Sequence, residues 1–214
     1  MKLYGYWRSS CTWRVRIAPQ YKGLDFEYIP VHLVNNGGEQ FSAAHTERNP
    51  LAQVPVLEIN SEDGTQLLLS QSLAIMEYLE ERFPASPILP TKKADRAYVR
   101  QVSEIINAGI QPVQNLATLK AIVQLGADKM QWGRRWIQDG LLALEQLLSA
   151  RPSQPYLCLD TPTMADFCLI PQLYNARRFG CDMELFPTLL AVEARCALLK
   201  AFQLAHPDQQ IDAQ

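Results

Sequence analysis

The chain has 214 residues, of which 48% are hydrophobic and 20% are charged, and its formal net charge at pH 7 is −2. This length and composition allow a sizeable buried core and exclude a disordered protein. The charge provides no basic surface for nucleic acid, and no apolar run reaches the roughly 18–20 residues that span a bilayer. The N-terminus has one lysine and no hydrophobic signal segment, so we expect a cytoplasmic protein without a membrane partner.

The five cysteines predict reduced thiols. Their number is odd and no C-x-x-C spacing occurs, which argues against a disulfide framework and against a zinc or other metal site. Four of them lie late in the chain among apolar residues and are expected to be buried as small hydrophobic side chains: Cys158, Cys168, Cys181 and Cys196. Cys11 differs because it lies in a polar segment.

The first 83 residues alternate strand-like and helix-like segments. The pattern predicts a strand at 2–7, a helix at 10–22 and a strand at 26–31, followed by a polar loop through Asn35-Asn36-Gly37-Gly38. A short helical turn at 40–46 leads to a hairpin of strands 54–59 and 67–69, with Asp63-Gly64 at its turn, and then to a helix at 71–82. This βαβ-ββα order predicts an α/β thioredoxin-like domain over residues 1–83.

A proline-rich segment at 84–90 reads as an inter-domain linker. Beyond it, apolar residues recur at three- and four-residue steps, which predicts an all-α domain over residues 91–214. Thr163 and Asp166 have the spacing of an N-capping box. Pro19 lies inside the first predicted helix, and we expect it to kink or fray the second half of that helix.

The segment Ser9-Ser10-Cys11 directly follows the first predicted strand and opens a helix. Free N–H groups and the positive end of the helix dipole there favour an anion, such as a thiolate. Arg8, Arg14 and Arg16 add positive charge nearby. A serine before a helix is also the commonest N-cap, so this segment alone supports either interpretation.

Two further segments could bind an extended ligand. Val54-Pro55 begins a predicted strand, where a cis proline would fit a tight turn. The resemblance to thioredoxin-like domains implies a cis bond here, which would leave the main chain before it open to strand addition. Ser70-Gln71-Ser72 joins a strand to a helix N-terminus and offers donors for a carboxylate, although a plain capped helix would look the same.

The string from Ser9 to Ala18 closely resembles the active-site signature of the zeta-class glutathione transferases, and the resemblance extends from Leu3 to about Pro207. It implies the glutathione transferase architecture, glutathione as cofactor, and a homodimer. Pro19 departs from this family, which usually has leucine there.

The resemblance also implies site residues. The catalytic thiol-binding set is Ser9, Ser10 and Cys11. The other glutathione contacts would be Arg14 and the residues Gln40, Val54, Pro55, Gln71, Ser72, Gln111 and Asn115. Within this set Val54 faces the cysteinyl backbone, Gln71 and Ser72 the γ-glutamyl carboxylate, and Gln40 the glycyl end. Arg8 and Arg178 would bind substrate carboxylates, whereas Arg177 could be a solvated helix charge.

The implied reaction is the glutathione-dependent cis–trans isomerisation of maleylacetoacetate to fumarylacetoacetate by reversible thiolate addition. Maleylpyruvate isomerisation or transfer of glutathione to halogenated acids would use the same site. A non-catalytic partner-binding protein and a thiol exchanger using Cys11 are further alternatives, but the latter lacks a resolving cysteine three residues on. The sequence leaves open which serine stabilises the thiolate and whether Cys11 is required.

Overall fold

The structure is a computed structural model that describes residues 1–214, apart from the side chain of Asn36. The chain divides into two compact units, Met1–Pro87 with Leu199–Gln214, and Ile88–Leu198. The sequence prediction assigned 199–214 to the helical domain, whereas the structure groups this segment with the first unit. The reason is local packing, because the helix beginning at Lys200 lies against the first helix of the chain.

The first unit contains a four-stranded mixed sheet. Its strand order is β2-β1-β3-β4, in which β1 and β2 are parallel and β3 is antiparallel to both of its neighbours. The strands are β1 Lys2–Gly5, β2 Glu27–Pro30, β3 Val56–Asn60 and β4 Gln66–Ser70. The helices that accompany them are α1 Ser10–Lys22, α2 Ala43–Arg48 and α3 Ser72–Arg82. The predicted thioredoxin-like fold is confirmed.

The register of the sheet places several loops at one end. Tyr4 of β1 pairs with Val56 of β3, and Val56 pairs with Ser70 of β4. On the other side of β1, Tyr4 pairs with Ile29 near the end of β2. The turn after β1, the loop after β2, the segment before β3 and the turn after β4 therefore all meet this end of the sheet.

Helix α1 continues through Pro19 to Lys22, so the expected fraying does not occur. The helix ends at Gly23 in the left-handed conformation, with φ of 68°. Gly23 N donates to Gln20 O and Leu24 N donates to Pro19 O, the pair of bonds of a Schellman motif. These bonds hold the last turn although Pro19 itself has no N–H to donate.

The second unit contains helices and no strand among the residues that the structure describes. Helix α4 passes into a π-helical segment, Ile105–Ile110, and then into the 3₁₀ turn Gln111–Gln114. The helices are α4 Lys93–Glu104, α5 Leu116–Gln124, α6 Lys129–Ser149, α7 Met164–Arg178 and α8 Pro187–Cys196, and α9 Lys200–Ala205 belongs to the first unit.

The predicted capping box at the start of α7 is present. The Asp166 carboxylate accepts hydrogen bonds from Thr163 N at 2.7 Å and from Thr163 Oγ1 at 2.9 Å. It also accepts one from Leu157 N at 2.8 Å. Burial nevertheless raises the pKa of Asp166 to about 6, against the opposing effect of these bonds.

Across the described part of the chain, no helix is both long and apolar enough to cross a membrane. A search of the same residues finds no group of three or more potential metal ligands. All five cysteines are free thiols in the structure.

Candidate active site

The turn between β1 and α1 is tightly hydrogen-bonded. Ser9 N donates to Tyr6 O at 3.0 Å, and Tyr6 N lies 3.4 Å from the acceptor Thr12 Oγ1. Gly5 precedes the turn, and a Cβ on it would lie 2.1 Å from Thr12 Cγ2. A side chain at position 5 would therefore displace Thr12, so glycine is required for this close approach.

Ser9 is the N-cap of α1, as the capping interpretation predicts. Its Oγ accepts a hydrogen bond from Thr12 N at 3.3 Å, and Ser10 is the first helical residue. A hydroxyl that accepts a bond through a lone pair keeps its hydrogen to donate. Ser9 can therefore cap the helix and also donate to an anion in front of it.

The three arginines have different positions. Arg14 is fully buried, and its Nη2 donates to Cys11 Sγ at 3.9 Å, which places a cation beside the helix N-terminus. The Arg8 guanidinium lies over the Trp7 ring, 5.2 Å from its centroid. Arg16 is turned toward main-chain carbonyls, at 2.7 Å from Trp7 O and 3.4 Å from Tyr6 O. Its contribution is therefore to the scaffold of the turn.

The bond between Val54 and Pro55 is cis. The carbonyl directly before it, Gln53 O, accepts bonds from His45 Nε2 at 3.0 Å and from Asn49 Nδ2 at 2.9 Å. His45 and Asn49 are both buried. These two side chains hold the loop that presents Val54, and the sequence pattern did not single them out.

Gln71 stands between β4 and α3 with φ of 70° and ψ of 110°. A non-glycine residue with positive φ is strained and needs surrounding structure to hold it, a condition that is frequent at ligand sites. Ser72 is buried as the first residue of α3, and the N-cap residue Gln71 makes no side-chain hydrogen bond to the first turn. The first N–H groups of a helix have no partner within the helix, so this turn can offer them to an anion.

Gln40 lies in the loop after β2. Its side chain is buried, with Nε2 donating to Leu33 O at 3.4 Å and Oε1 lacking a hydrogen-bond partner. A Cβ on Gly38 would lie 2.6 Å from both Oε1 and Nε2 of Gln40. Gly38 thus leaves room for the buried Gln40 amide group.

The remaining predicted residues lie in the second unit. Gln111 is buried at the start of the 3₁₀ turn that follows the π-helical segment, and Asn115 is exposed just before α5. Arg178 ends α7 and donates through Nη1 to Asn175 Oδ1 at 3.1 Å. Arg177 instead forms a two-bond ion pair with Glu193, at 2.7 and 2.5 Å. Of the two arginines, Arg177 is thus engaged with α8.

Two glycines of α6 support these segments, and sequence reasoning missed them. A Cβ on Gly140 would lie 2.5 Å from Ile110 Cγ1, and a Cβ on Gly133 would lie 2.3 Å from Phe179 Cε1. Ile110 directly precedes Gln111 in the chain, and Phe179 directly follows Arg178. The spacing of seven residues, about two helical turns, puts both glycines on one face of α6. This spacing was the feature of the sequence from which a close-packed helix face could have been predicted.

Comparison with known proteins identifies the family. Residues 1–81 match the family model described as glutathione S-transferase, N-terminal domain. Maleylacetoacetate isomerase of Mus musculus is 45% identical over 210 residues, covering 98% of this chain and 94% of the mouse protein. The fold is that of a glutathione transferase.

Two solved structures indicate which class of glutathione transferase the chain belongs to. A maleylacetoacetate isomerase from Anaeromyxobacter dehalogenans 2CP-1 with bound GSH is 48% identical, with a TM-score of 0.89 over 100% of this chain and 97% of that one. A holo maleyl pyruvate isomerase, described as a bacterial glutathione transferase in the zeta class, is 38% identical, with a TM-score of 0.93 over all of both chains. The chain belongs to the zeta-class glutathione transferase family, which includes the maleylacetoacetate isomerases.

Proposed function

We propose that this protein is a glutathione-dependent cis–trans isomerase that converts maleylacetoacetate to fumarylacetoacetate. The observation that carries the proposal is the row Tyr4–Val56–Ser70 across the sheet. It brings to one end of the sheet a helix N-terminus with hydroxyls, a cis-proline edge and a second helix N-terminus. These three features suit, in turn, a thiolate, a peptide backbone and a carboxylate.

The residues of the first unit would hold glutathione as follows. Val54 would offer its main chain to the cysteinyl part, Gln71 and Ser72 would face the γ-glutamyl carboxylate, and Gln40 would lie toward the glycyl end. When bound, glutathione supplies a thiolate that adds reversibly to the cis double bond and permits rotation.

The protein's own task in this reaction is to stabilise negative charge. The Ser9 hydroxyl, the first N–H groups of α1 and the positive charge of the buried Arg14 would stabilise the thiolate. Ser10 and Cys11 lie at the same turn. We assign Ser9 the thiolate hydrogen bond, because its Oγ accepts from Thr12 N and its hydrogen remains available to donate.

Arg178 is proposed to bind a substrate carboxylate, together with Arg8. Arg178 lies exposed at the end of α7, where its Nη1 donates to Asn175 Oδ1, and the planar guanidinium geometry suits a carboxylate. Gln111 and Asn115 are proposed as further glutathione contacts. These assignments follow the resemblance and are proposals for this chain.

The test is turnover of maleylacetone, an analogue of the substrate, followed by ultraviolet absorbance with and without glutathione. We expect conversion that requires glutathione and does not consume it, and a drop in kcat/KM for Arg178→Lys much larger than for the matched variant Arg177→Lys. Binding of glutathione without any turnover of maleylacetone would refute the substrate assignment.

Maleylpyruvate is the second candidate substrate. It is favoured by the TM-score of 0.93 with the maleyl pyruvate isomerase. A ratio of kcat/KM for the two acids, measured under identical conditions, decides between them, because both reactions use the same first unit.

We further propose a homodimer in the cytoplasm that acts in aromatic amino acid breakdown. Free thiols at all five cysteines suit a reducing compartment. Exposed apolar side chains on the first unit, Val34, Phe41 and Leu51, are available for a contact with a second copy. Light scattering after size-exclusion chromatography tests the dimer, and a monomer at micromolar concentration would contradict it.

A further inference from the structure

The Trp7 amide, two residues before the N-cap Ser9, is hydrogen-bonded to the other end of the chain. Trp7 N donates to Asp212 Oδ2 at 3.0 Å, across 205 positions of sequence. The Tyr28 hydroxyl contacts the same oxygen at 3.3 Å. The Trp7 side chain is buried, so its amide has little access to water as an alternative acceptor.

The carbonyls of the same two residues are bonded as well. Arg16, fully buried in α1, donates to Trp7 O and Tyr6 O and also to Ala205 O at the end of α9, at 3.1 and 3.2 Å. Burial lowers the pKa of Arg16 to about 10, and the neighbouring Asp212 charge opposes this effect. One guanidinium thus joins the turn to the C-terminal segment.

Every main-chain polar group of Tyr6 and Trp7 has a partner in this arrangement. Thr12 and Ser9 bond Tyr6, Arg16 bonds both carbonyls, and Asp212 bonds the Trp7 amide. These hydrogen bonds therefore hold in place the two residues from which the turn carrying Ser9 and Ser10 begins. Loss of Asp212 would leave one buried N–H unsatisfied at that point, and a buried donor without a partner is costly.

We propose that Asp212 is a positioning residue, which through the Trp7 amide fixes the turn that presents Ser9 and Ser10 to the thiol. It touches neither cofactor nor substrate, and it acts on rate by holding the donors in place. The consequence for turnover rests on the proposed isomerase function, whereas the hydrogen bond itself does not.

The test compares Asp212→Ala with Asp212→Asn, which keeps an oxygen acceptor, and with Asp208→Ala as a matched change at an exposed acid of the same segment. The measurements are kcat and KM with maleylacetone, the glutathione dissociation constant by calorimetry, and hydrogen exchange of peptides covering 5–10 and 56–60. We expect Asp212→Ala to lower kcat/KM about tenfold, the scale of one hydrogen bond to a charged acceptor. The kcat/KM of Asp212→Asn should stay within about threefold of the wild-type value, and that of Asp208→Ala should equal the wild-type value.

Faster exchange in Asp212→Ala should be confined to the 5–10 peptide, because β3 does not contact the tail bond. Faster exchange in both peptides would assign Asp212 to general stability and overturn the proposal. So would wild-type kcat/KM in Asp212→Ala, or an equal loss in the alanine and asparagine variants. If Asp212→Ala does not fold, exchange of the Trp7 amide in the wild-type protein decides, since an unprotected amide there refutes the bond.

The two proposals fail in different ways. A wild-type protein that binds glutathione but leaves maleylacetone unchanged contradicts the isomerase assignment. In that case the exchange measurements and the glutathione dissociation constants of the variants still test Asp212.

Discussion

Gly133 in α6 is the position where one added methyl group should affect both stability and the substrate site. In Gly133→Ala the new Cβ would meet Phe179 Cε1 at 2.3 Å and Cδ1 at 2.4 Å, whereas ordinary contact begins at 3.4 Å. Phe179 is itself buried, with 6% of its surface exposed, so its ring has little freedom to turn away. Relief must come from a shift of the Arg178–Phe179 segment or of α6.

The size of the effect follows from two opposing contributions. Alanine in a helix interior is favoured over glycine by about 1 kcal/mol. Overpacking of a filled core costs about 1–3 kcal/mol, and here the overlap exceeds 1 Å against a rigid ring. Such an overlap puts the overpacking cost at about 2–3 kcal/mol, so after the helix-propensity gain we expect a net loss of about 1–2 kcal/mol, or about 2–8 °C in Tm for a chain of this size.

The assay is Tm by scanning calorimetry together with KM and kcat for maleylacetone. We expect KM to rise more than kcat falls, because the shifted segment carries Arg178 and not the thiol-binding turn. The double variant Gly133→Ala/Phe179→Leu provides the control, since a smaller side chain removes the clash and should recover KM. A Tm at or above the wild-type value with unchanged KM would refute the steric argument.

Three shorter predictions concern other packed positions. Gly38→Ala should weaken glutathione binding measured by calorimetry, because φ is +105° there and the Cβ would lie 2.6 Å from the Gln40 amide. Lys22→Met should lower the free energy of unfolding by about 3 kcal/mol in a urea titration, since it leaves Glu80 and three carbonyls without the buried ammonium. For Asp166, whose folded pKa is raised to about 6, folding favours the protonated form. The stability of the wild type relative to Asp166→Asn should therefore rise as pH falls from 7 to 4, and a constant difference would contradict the burial argument.

Sequence reasoning went furthest where local rules suffice. The alternation of strands and helices, the capping box at Thr163 and the helix start after Ser9 depend on neighbouring residues, and the structure has all three. The cis bond at Pro55 was predicted by family resemblance, since a proline before a strand has several local explanations. The end of α1 at residue 22 was predicted correctly, but the fraying expected after Pro19 was wrong, because the bonds at Gly23 hold the last turn.

What the sequence did not yield depends on contacts between distant positions. Asp212 lies in a polar tail with no motif, and only the fold brings it to the Trp7 amide. Arg14 and Arg16 lie two positions apart on the same helix and cannot be told apart by sequence. In the structure Arg16 donates to main-chain carbonyls, whereas Arg14 donates to the Cys11 thiol. The candidate residues of the second unit likewise depend on Gly133 and Gly140 of α6. Their importance for these residues cannot be predicted from the sequence, because it comes from their contacts with Phe179 and Ile110 in the folded chain.

Ser9 combines two roles that substitutions can separate. As an N-cap it stabilises α1, and as a hydroxyl donor it would stabilise a thiolate in front of the helix. Ser9→Gly keeps the capping energy to within a few tenths of a kcal/mol, whereas Ser9→Ala loses about 1 kcal/mol of it, and neither has a hydroxyl. Ser9→Thr keeps both functions.

If the hydroxyl acts on the thiolate, Ser9→Gly and Ser9→Ala should lose isomerase activity equally, by about tenfold or more at pH 6, while only Ser9→Ala loses Tm. In both variants the pKa of the bound glutathione thiol should be higher, so the loss should shrink as the pH is raised; absorbance of the thiolate measures this directly. Cys11→Ala should retain turnover, because the proposed reaction requires from the protein only hydrogen-bond donors and positive charge near the glutathione thiolate. Arg14 and the Ser9 hydroxyl still supply these in the variant. If activity instead falls in proportion to Tm across the three Ser9 variants, Ser9 acts only as a helix cap. The hydrogen bond to the thiolate would then be assigned to Ser10.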